Sequence, residues 1–391
     1  MRQTITIRLK LRIKAKDEAL LSSTMTVYRE ACNYVSAYIF NTHDLKQGSL
    51  SKVLYYQLRE KFALRSQMAQ SVIKTVIARY KTVLTNQKDW IKPVFKKPQY
   101  ELVWNRDYSL TNNCFSVNTL EGRLRLSYCN KPFEKYFNKD TYQFGTAKLV
   151  CRDNKYYLHI PISYDIKECV IDDICHITGI DRGINFIAAT YDSKRKSCFY
   201  DGHVIKHKRA NYKRLRKELQ QVKTASSRRK LKKIGQRETR WIQDVNHCVS
   251  KALVESNPKH TLFVLEDLSG IRSVTEQACL KNRYMTVSWA YYDLEQKLMY
   301  KAAAREQMVI KADPRYTSQR CPVCGYIDRN NRNKRLHTFT CKRCSYTSND
   351  DRIGAMNLYL KGLAYIEDTV AGEQVSPARV AVNQPAMQCH A

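Results

Sequence analysis

Two closely spaced pairs of cysteines are the residues whose spacing most directly predicts chemistry. Cys321 and Cys324 form one C-x2-C pair, Cys341 and Cys344 form a second, and 16 residues separate the two pairs. Two-residue spacing lets both thiolates of a pair reach one ion, and four thiolates complete a tetrahedral site. Because this set leaves no open coordination position, we predict a structural Zn²⁺ ion rather than a catalytic one.

The residues that follow and separate the pairs support this interpretation. Gly325 and Ser345 stand where each metal-binding turn must reverse its direction. The same segment is basic, which predicts contact with a phosphate backbone. Its basic residues are Arg329, Arg332, Lys334, Arg335, Lys342 and Arg343.

Carboxylates at three places in the chain could form a second metal site. Asp181 and Glu266 each end a short apolar run that is typical of a buried strand, and Asp350 and Asp351 open a helical pattern. Side chains at strand ends and at a helix start can converge at one end of a sheet, where they could hold two divalent ions for phosphodiester hydrolysis. A single strand-end aspartate is more often a turn or capping residue, so position alone does not decide between these interpretations.

The elements that would position these residues differ along the chain. A first strand at about 4–13 is followed by proline-free sequence whose apolar residues recur at three- and four-residue steps, which predicts a small helical domain. Alternating runs between 110 and 164 predict a β-barrel or a small sheet that the first strand could join. From 177 onward, short apolar strands are followed by long charged helical segments, which predicts an α/β domain.

The charge of the chain predicts its class of partner. Among 391 residues, 68 are lysine or arginine and 36 are aspartate or glutamate, a formal net charge of +32. A compact protein this basic repels itself unless a polyanion neutralises it, so we predict a nucleic-acid partner. The apolar runs are well short of the ~20 residues that span a bilayer, and the N-terminus lacks the apolar centre of a signal peptide. Outside the two pairs the cysteines are scattered singly, which predicts a reducing, cytoplasmic compartment.

Four segments occur in the order GIDRGINFIAAT, LFVLEDLSGIR, DPRYTSQRCPVCG and DDRIGAMNLYLKG. They closely resemble the three split RuvC motifs and the zinc-ribbon insertion of TnpB proteins. These proteins are encoded by insertion sequences and are relatives of the miniature type V CRISPR nucleases. The resemblance is specific from about residue 177 to residue 360, and it implies that Asp181, Glu266 and Asp351 are catalytic and bind Mg²⁺.

Two details of the motifs bear on this assignment. The first motif has Asp-Arg-Gly where the family more often has Asp-Leu-Gly, which leaves the acid intact. The last motif of the family has an aspartate six residues before an Asn-Ile/Leu pair. Here that pair is Asn357-Leu358, so the resemblance favours Asp351 over Asp350.

The resemblance also implies a fold class and a domain organisation. The fold class is α/β, an RNase H-like RuvC domain with an inserted zinc ribbon, plus an N-terminal β-barrel (wedge) and a helical recognition domain. The expected bounds are 1–16 and 90–170 for the wedge-like barrel, 17–89 for the recognition helices, 171–314 and 347–363 for the RuvC-like nuclease, 315–346 for the zinc ribbon that binds target nucleic acid, and 364–391 for a disordered tail.

The activity that the resemblance implies is that of an RNA-guided DNA endonuclease. Such a protein binds a guide RNA, recognises a short motif beside its double-stranded DNA target, and cuts both strands at one RuvC site with two Mg²⁺ ions. We expect a monomer in a prokaryotic cytoplasm, associated with the nucleoid when on target. The alternatives are a miniature type V CRISPR effector with the same chemistry and a nuclease-inactive RNA-guided DNA-binding repressor, although a repressor would typically lack one acid. A transposase would need a His-x-His site, which the sequence lacks.

Two sets of basic residues are candidate nucleic-acid contacts. Between Lys206 and Arg240 the chain has 15 lysines and arginines and only two glutamates, Glu218 and Glu238. With so little acid to balance the charge, we predict that these helices contact guide RNA or the guide–target heteroduplex. The candidates within them are Arg228, Arg229, Lys230, Lys232 and Lys233.

The second set lies in the segment DPRYTSQ, which the resemblance places along the nuclease cleft. Its candidates are Arg315 and Ser318. Arg315 could hold the scissile phosphate through charge-assisted hydrogen bonds. A structural role in seating the ribbon is the alternative.

Overall fold

The computed structural model describes residues 1–87, 89–111, 114–129, 134–138, 140–183, 185–268 and 291–371. The chain divides into two compact units, Met1–Asp165 and Ile166–Ala391. No helix among the described residues is both long and apolar enough to cross a membrane.

The N-terminal unit contains three helices and eight strands among its described residues. The helices are α1 (Ala15–Thr42), α2 (Gln47–Phe62) and α3 (Ser66–Gln87). The strands are β1 (Arg2–Arg12), β2 (Gln99–Leu102), β3 (Tyr108–Leu110), β4 (Cys114–Asn118), β5 (Arg123–Tyr128), β6 (Gln143–Phe144), β7 (Ala147–Arg152) and β8 (Lys155–Asp165).

The first strand organises the sheet of this unit. The sheet has the order β2-β7-β8-β1-β5-β4-β3, with β6 paired to β8, so β1 joins the later strands as its alternating pattern predicts. Alternate residues of β1, namely Ile7, Leu9 and Leu11, are buried in one core with Tyr28 of α1 and Tyr80 of α3. One core therefore stabilises both the helices and the sheet.

The C-terminal unit holds the residues of both predicted metal sites. Its described helices are α4 (His203–Val222), α5 (Ala225–Glu255), α6 (Tyr291–Ala303) and α7 (Asp350–Val370). Its described strands are β9 (His176–Asp181), β10 (Phe186–Asp192), β11 (Ser197–Asp201), β12 (Thr261–Glu266), β13 (Met308–Ala312), β14 (Arg332–Asn333), β15 (Thr338–Thr340) and β16 (Thr347–Asn349).

Five of these strands form a mixed sheet with helices on both faces, which confirms the α/β class. The order is β11-β10-β9-β12-β13, and β12 is parallel to both of its neighbours. Ile180 and Phe263 face the core that α4, α5 and α6 cover. Ile177 and Val264 face the opposite core, which contains Leu358 of α7. The alternation follows from the two-residue period of a strand.

Helix α7 lies unusually close to the centre of this sheet. A Cβ atom at Gly179 would be 2.1 Å from the carbonyl oxygen of Ala355, so a larger residue there would push the helix away. The helix continues to Val370, so residues 364–370 are helical rather than part of an irregular tail. Ala364 is buried and Ile366 packs against the core, which explains the extension. Residues 372–391 lie outside the described residues.

Candidate active site and metal centre

The four predicted zinc ligands meet at one point. The sulfur atoms of Cys321, Cys324, Cys341 and Cys344 all lie within 4.8 Å of one another. The Cys321–Cys344 and Cys324–Cys341 sulfur separations are 3.6 and 3.4 Å. A tetrahedral ion with Zn–S bonds of ~2.3 Å would set these separations at about 3.8 Å. The cluster therefore has the donor set and the size of a four-cysteine zinc site.

The two pairs have the same local backbone geometry. After the first pair, the N–H of Gly325 donates to the carbonyl of Cys321 at 3.0 Å. After the second, the N–H of Ser345 donates to the carbonyl of Cys341 at 2.9 Å. Both turn residues are in the left-handed region, with φ of 74° and 57°. The prediction that the chain reverses at these two positions is confirmed.

Asp181 and Glu266 lie side by side at the carboxyl ends of two parallel strands. The register pairs Ile180 of β9 with Leu265 of β12, so the next residues along, Asp181 and Glu266, are level on strands ~4.8 Å apart. The two-residue period places both carboxylates on the face that α7 covers, since Ile177 occupies that face. Neighbouring strands therefore position the first two acids.

The start of α7 completes the group. The side-chain oxygen of Asn349 accepts hydrogen bonds from the N–H groups of Asp351 and Arg352, at 3.0 and 3.1 Å, and so caps the helix. One turn later, a Cβ at Gly354 would be 2.6 Å from Asp181 Oδ2. The N-terminal turn of α7 thus lies against the end of β9, beside Asp181.

Electrostatics shows that the three acids share one environment. Burial raises the pKa of Asp181 well above its usual range, and the charges of Glu266 and then Asp351 raise it further. Burial raises the pKa of Glu266, against the lowering effects of the Thr317 hydroxyl and the Arg182 guanidinium. Burial and the charge of Asp350 raise the pKa of Asp351. Such a group favours the binding of a cation, which would stabilise all three ionised carboxylates.

The carboxylates are more widely spread than the cysteines. Among the described ranges, the cysteine cluster is the only group of three or more Cys, His, Asp or Glu donor atoms that all lie within 4.8 Å of one another. A single ion would need its donors that close. Two ions about 3.5–4 Å apart could span a wider set of oxygens.

The adjacent residues Asp350 and Asp351 have different surroundings. The Asp350 side chain has no exposed surface, and it accepts a hydrogen bond from Arg332 Nε at 2.8 Å and lies 3.6 Å from His337 Nδ1. The Asp351 carboxylate is more open and lies 3.9 Å from Arg332 Nη2. Asp350 is thus a buried partner of the ribbon, whereas Asp351 has the stronger effect on the pKa of Asp181.

Arg332 is a site residue that sequence reasoning placed only among the basic residues of the ribbon. It contacts both Asp350 and Asp351. Its positive charge lowers the pKa of Asp181, of Glu266 and of Asp351. The basic composition of the segment was the signal, but composition could not identify which arginine reaches the acids.

The segment before the first cysteine pair holds Glu266 in place. The Thr317 hydroxyl donates to Glu266 Oε1. The amide of Asn357 in α7 donates to the carbonyls of Thr317 and Arg320, at 2.7 and 2.8 Å. Lys361 of the same helix donates to the carbonyl of Asp313. Sequence reasoning did not identify Thr317, and it used Asn357 only to align the last motif.

The other residue predicted in this segment lies in a different environment. The Arg315 side chain is 80% exposed and lies 3.9 Å from Asp313 Oδ2. Ser318 is half-buried. Arg315 is therefore accessible to a ligand from solvent.

The five basic candidates of α5 are all exposed, and none of them forms an ion pair with another described residue. The two glutamates of this region have partners of their own. Glu238 is buried between Arg209, at 3.7 Å, and Arg216. Glu218 lies 3.9 Å from Arg214. The acidic residues nearby therefore leave the charge of the five candidates uncompensated.

Comparison with known proteins places this arrangement in a family. The family model "Cas12f1-like, TNB domain" matches residues 291–358, which include the cysteine pairs and Asp351. The chain is 30% identical over 222 residues to a CRISPR-associated endodeoxyribonuclease Cas12f1 of Syntrophomonas palmitatica, covering 53% of this chain and 43% of that protein. It is 26% identical over 253 residues to the putative RNA-guided DNA endonuclease InsQ of Escherichia coli, covering 59% of each.

The chain thus spans about half the length of these relatives. A shorter relative is covered more fully. The TnpB-like protein MJ0751 of Methanocaldococcus jannaschii is 31% identical over 201 residues, which cover 48% of this chain and 69% of that protein. On this similarity, and on the cysteine and carboxylate groups that accompany it, the chain belongs to the TnpB family.

Proposed function

We propose that this protein is an RNA-guided DNA endonuclease that cuts target DNA at a single RuvC-type site. The observation that carries the proposal is the placement of Asp181, Glu266 and Asp351 at one end of a mixed sheet, beside helix α7, which also packs against the cysteine cluster. Relatives named as endodeoxyribonucleases and as RNA-guided endonucleases support the reaction and the partners.

The acids fit a pair of Mg²⁺ ions. All three offer hard carboxylate oxygens, which are the ligands that Mg²⁺ prefers. A pair of ions would supply an activated water and would stabilise the leaving oxygen of the phosphodiester. The chain itself holds the donors in place. The parallel register aligns Asp181 with Glu266, Thr317 orients the Glu266 carboxylate, and the Asn349 cap fixes the turn that carries Asp351.

We propose that Arg332 assists by contacting the phosphate to be cut. Its guanidinium lies 3.9 Å from Asp351 and is about a quarter exposed, so one edge can reach a ligand while Asp350 holds the other. Arginine binds phosphate oxygens through paired, charge-assisted hydrogen bonds. Asp350 then has the role of orienting Arg332.

The cysteine cluster fits a structural Zn²⁺ ion. Four thiolates fill the coordination shell, so the ion would stabilise the ribbon and take no part in hydrolysis. The ribbon places Arg332 and His337 at the start of α7, where both contact Asp350. Folding of the ribbon therefore also positions the helix turn that carries Asp350 and Asp351.

The partners that we propose are a guide RNA and a double-stranded DNA target. The uncompensated basic residues of α5 suit the guide or the heteroduplex, because phosphate neutralisation gives affinity without sequence information. In the N-terminal unit, a groove of about 450 Å³ has Arg79, Lys96, Lys97 and Lys148 among its lining residues. We assign residues 17–89 to the recognition helices, 1–16 and 90–170 to the wedge-like barrel, 171–314 and 347–363 to the nuclease, and 315–346 to the zinc ribbon.

The test is to change the guide sequence and to measure which DNA target the enzyme then cuts. Protein is loaded with an RNA whose guide portion has been rewritten, then given a plasmid carrying either the old or the new target in Mg²⁺. We expect cleavage to follow the guide, and Asp181→Ala to bind the target without cutting it. Cleavage that ignores the guide would refute the proposal.

A miniature CRISPR effector with the same chemistry is the second candidate, favoured by the Cas12f1 relatives. The genomic neighbourhood distinguishes the two, since an effector requires a repeat array and a transposon protein requires transposon ends. The presence of all three acids argues against a nuclease-inactive repressor.

A further inference from the structure

We propose that Arg182 is a positioning residue for Glu266, because it fixes the main chain from which that metal ligand projects. Arg182 directly follows Asp181, so its side chain is directed to the other face of the sheet, where it contacts α6. The inference rests on the proposed function only in taking Glu266 as a metal ligand. It assigns a role to the arginine of the Asp-Arg-Gly motif.

The carbonyl of Glu266 lies at the end of the hydrogen-bonded pairing between β9 and β12. The last register pair between β9 and β12 joins Ile180 to Leu265, so the ladder between these strands ends before Glu266. The carbonyl of Glu266 then needs another donor, because a buried carbonyl without one is costly. Arg182 Nη2 donates to that oxygen at 2.6 Å.

Contacts with α6 hold the Arg182 guanidinium in place. The Arg182 side chain is 1% exposed. Its Nη1 lies 3.1 Å from Glu295 Oε2 and 3.4 Å from the carbonyl of Tyr291, both in the first turns of α6. Glu295 is also 3.4 Å from Lys311 of β13. Arg182 therefore joins the end of β12 to α6 through two separate nitrogen atoms.

These contacts affect the position of the Glu266 carboxylate. Glu266 is held at two points, at its carbonyl by Arg182 and at its carboxylate by Thr317. The two anchors lie on different elements, so loss of either one leaves the side chain free to move relative to Asp181. Partners that orient a metal ligand typically contribute about 10- to 100-fold to metal affinity.

The test separates positioning from simple stability. Arg182→Met alone would leave Glu295 partly compensated in a buried place and could unfold the protein. The informative variant is the double replacement Arg182→Met with Glu295→Met, which removes both charges together. Arg182→Lys is the second variant, since it keeps a charge opposite Glu295 but has one nitrogen where the guanidinium uses two.

The probe is Mn²⁺ alone, added to full-length protein freed of RNA, with free Mn²⁺ measured by electron paramagnetic resonance and folding measured by thermal melting. We expect each variant to melt near the wild type but to bind Mn²⁺ about 10-fold or more weakly. Wild-type Mn²⁺ affinity in a folded variant would overturn the proposal, because Arg182 would then serve only its ion pair.

Asp181→Asn is the control that keeps the two proposals apart. It should abolish the Mn²⁺ binding that the wild type shows. If Asp181→Asn binds Mn²⁺ like the wild type, these carboxylates are not the metal site. That result would refute the proposed function itself, and not only the role of Arg182.

Discussion

Replacement of Gly354 by alanine tests whether α7 must lie against Asp181 for cleavage. The added Cβ would be 2.6 Å from Asp181 Oδ2 and 2.8 Å from its Cγ. Non-bonded contact requires about 3.5 Å, so the carboxylate or the helix must move by roughly 0.9 Å. A misplacement of ~1 Å in a catalytic group can cost about 100-fold in rate. We therefore expect single-turnover cleavage to slow by about 100-fold.

The stability of Gly354→Ala should change much less than its activity. Alanine gains about 1 kcal/mol over glycine in a helix interior, and this offsets part of an overpacking cost of roughly 1–3 kcal/mol. Thermal melting of the metal-free protein measures the balance. A variant that remains folded but cuts slowly is the expected result.

Two other glycines provide matched controls. Gly362→Ala in the same helix meets Val264 Cγ2 at 2.7 Å and Ile177 Cγ2 at 2.9 Å, a closely similar overlap that involves core methyl groups instead of a carboxylate. It should lose stability but keep its cleavage rate while folded. Gly235→Ala in α5 meets nothing within 4 Å and should gain up to about 1 kcal/mol. Wild-type cleavage by Gly354→Ala, or equal losses in Gly354→Ala and Gly362→Ala, would refute the reasoning.

Four further predictions concern the two metal sites and the neighbouring Asp350. Purified protein should contain one Zn²⁺ per chain by elemental analysis, and Cys324→Ser should lower both zinc content and melting temperature. Asp351→Asn should lose cleavage by about 1000-fold or more, as loss of several kcal/mol of metal-dependent stabilisation requires. Asp350→Asn should instead lose stability but keep measurable cleavage, because its amide oxygen can still accept a hydrogen bond from Arg332 of the ribbon. If Asp350→Asn is inactive and Asp351→Asn is active, Asp350 is the metal ligand and Asp351 is not. In EDTA at pH 7, Asp181→Asn should melt higher than the wild type, by about 2–4 °C for each kcal/mol that is no longer lost to burial of the charge and to repulsion by Glu266 and Asp351.

The difference in melting temperature between Asp181→Asn and the wild type should depend on pH. The pKa of Asp181 is raised in the folded protein, so its ionised form opposes folding when no metal is bound. As the pH falls below that raised pKa, the advantage of Asp181→Asn should shrink, and it should vanish only near the ordinary pKa of an aspartate in the unfolded chain, where the carboxyl is neutral in both states. Mg²⁺ should raise the melting temperature of the wild type and not of the variant. A difference that is independent of pH would show that the ionised Asp181 carboxylate does not oppose folding.

Local spacing was sufficient to predict the cysteine cluster. A C-x2-C pair sets its own geometry, and only the meeting of two pairs depends on the fold. The acids at the strand ends and at the helix start could also be predicted, because the strand and helix patterns of the sequence place them at the boundaries of these elements. The order of these elements in the sheet makes Asp181 and Glu266 neighbours although they are far apart in the sequence.

Contacts between distant segments could not be predicted in the same way. Thr317 reaches Glu266 across 51 residues, and Arg332 reaches Asp350 across 18. Neither contact leaves a periodic signal in the sequence. Glu238 is one of only two glutamates in the basic segment between Lys206 and Arg240, and composition does not show that it is buried between two arginines. An isolated acid in a basic helix can compensate cations that face the core.

The most direct test of the central claim is plasmid cleavage by the same protein with and without its RNA. A plasmid carrying a guide-matched target beside its adjacent motif is incubated in Mg²⁺ with RNA-loaded protein or with protein stripped of RNA, and a plasmid with a mismatched target is the control. The account predicts that only the loaded protein cuts, and only the matched plasmid. Equal cutting of both plasmids by loaded and stripped protein would contradict it and would leave a basic nuclease without a guide.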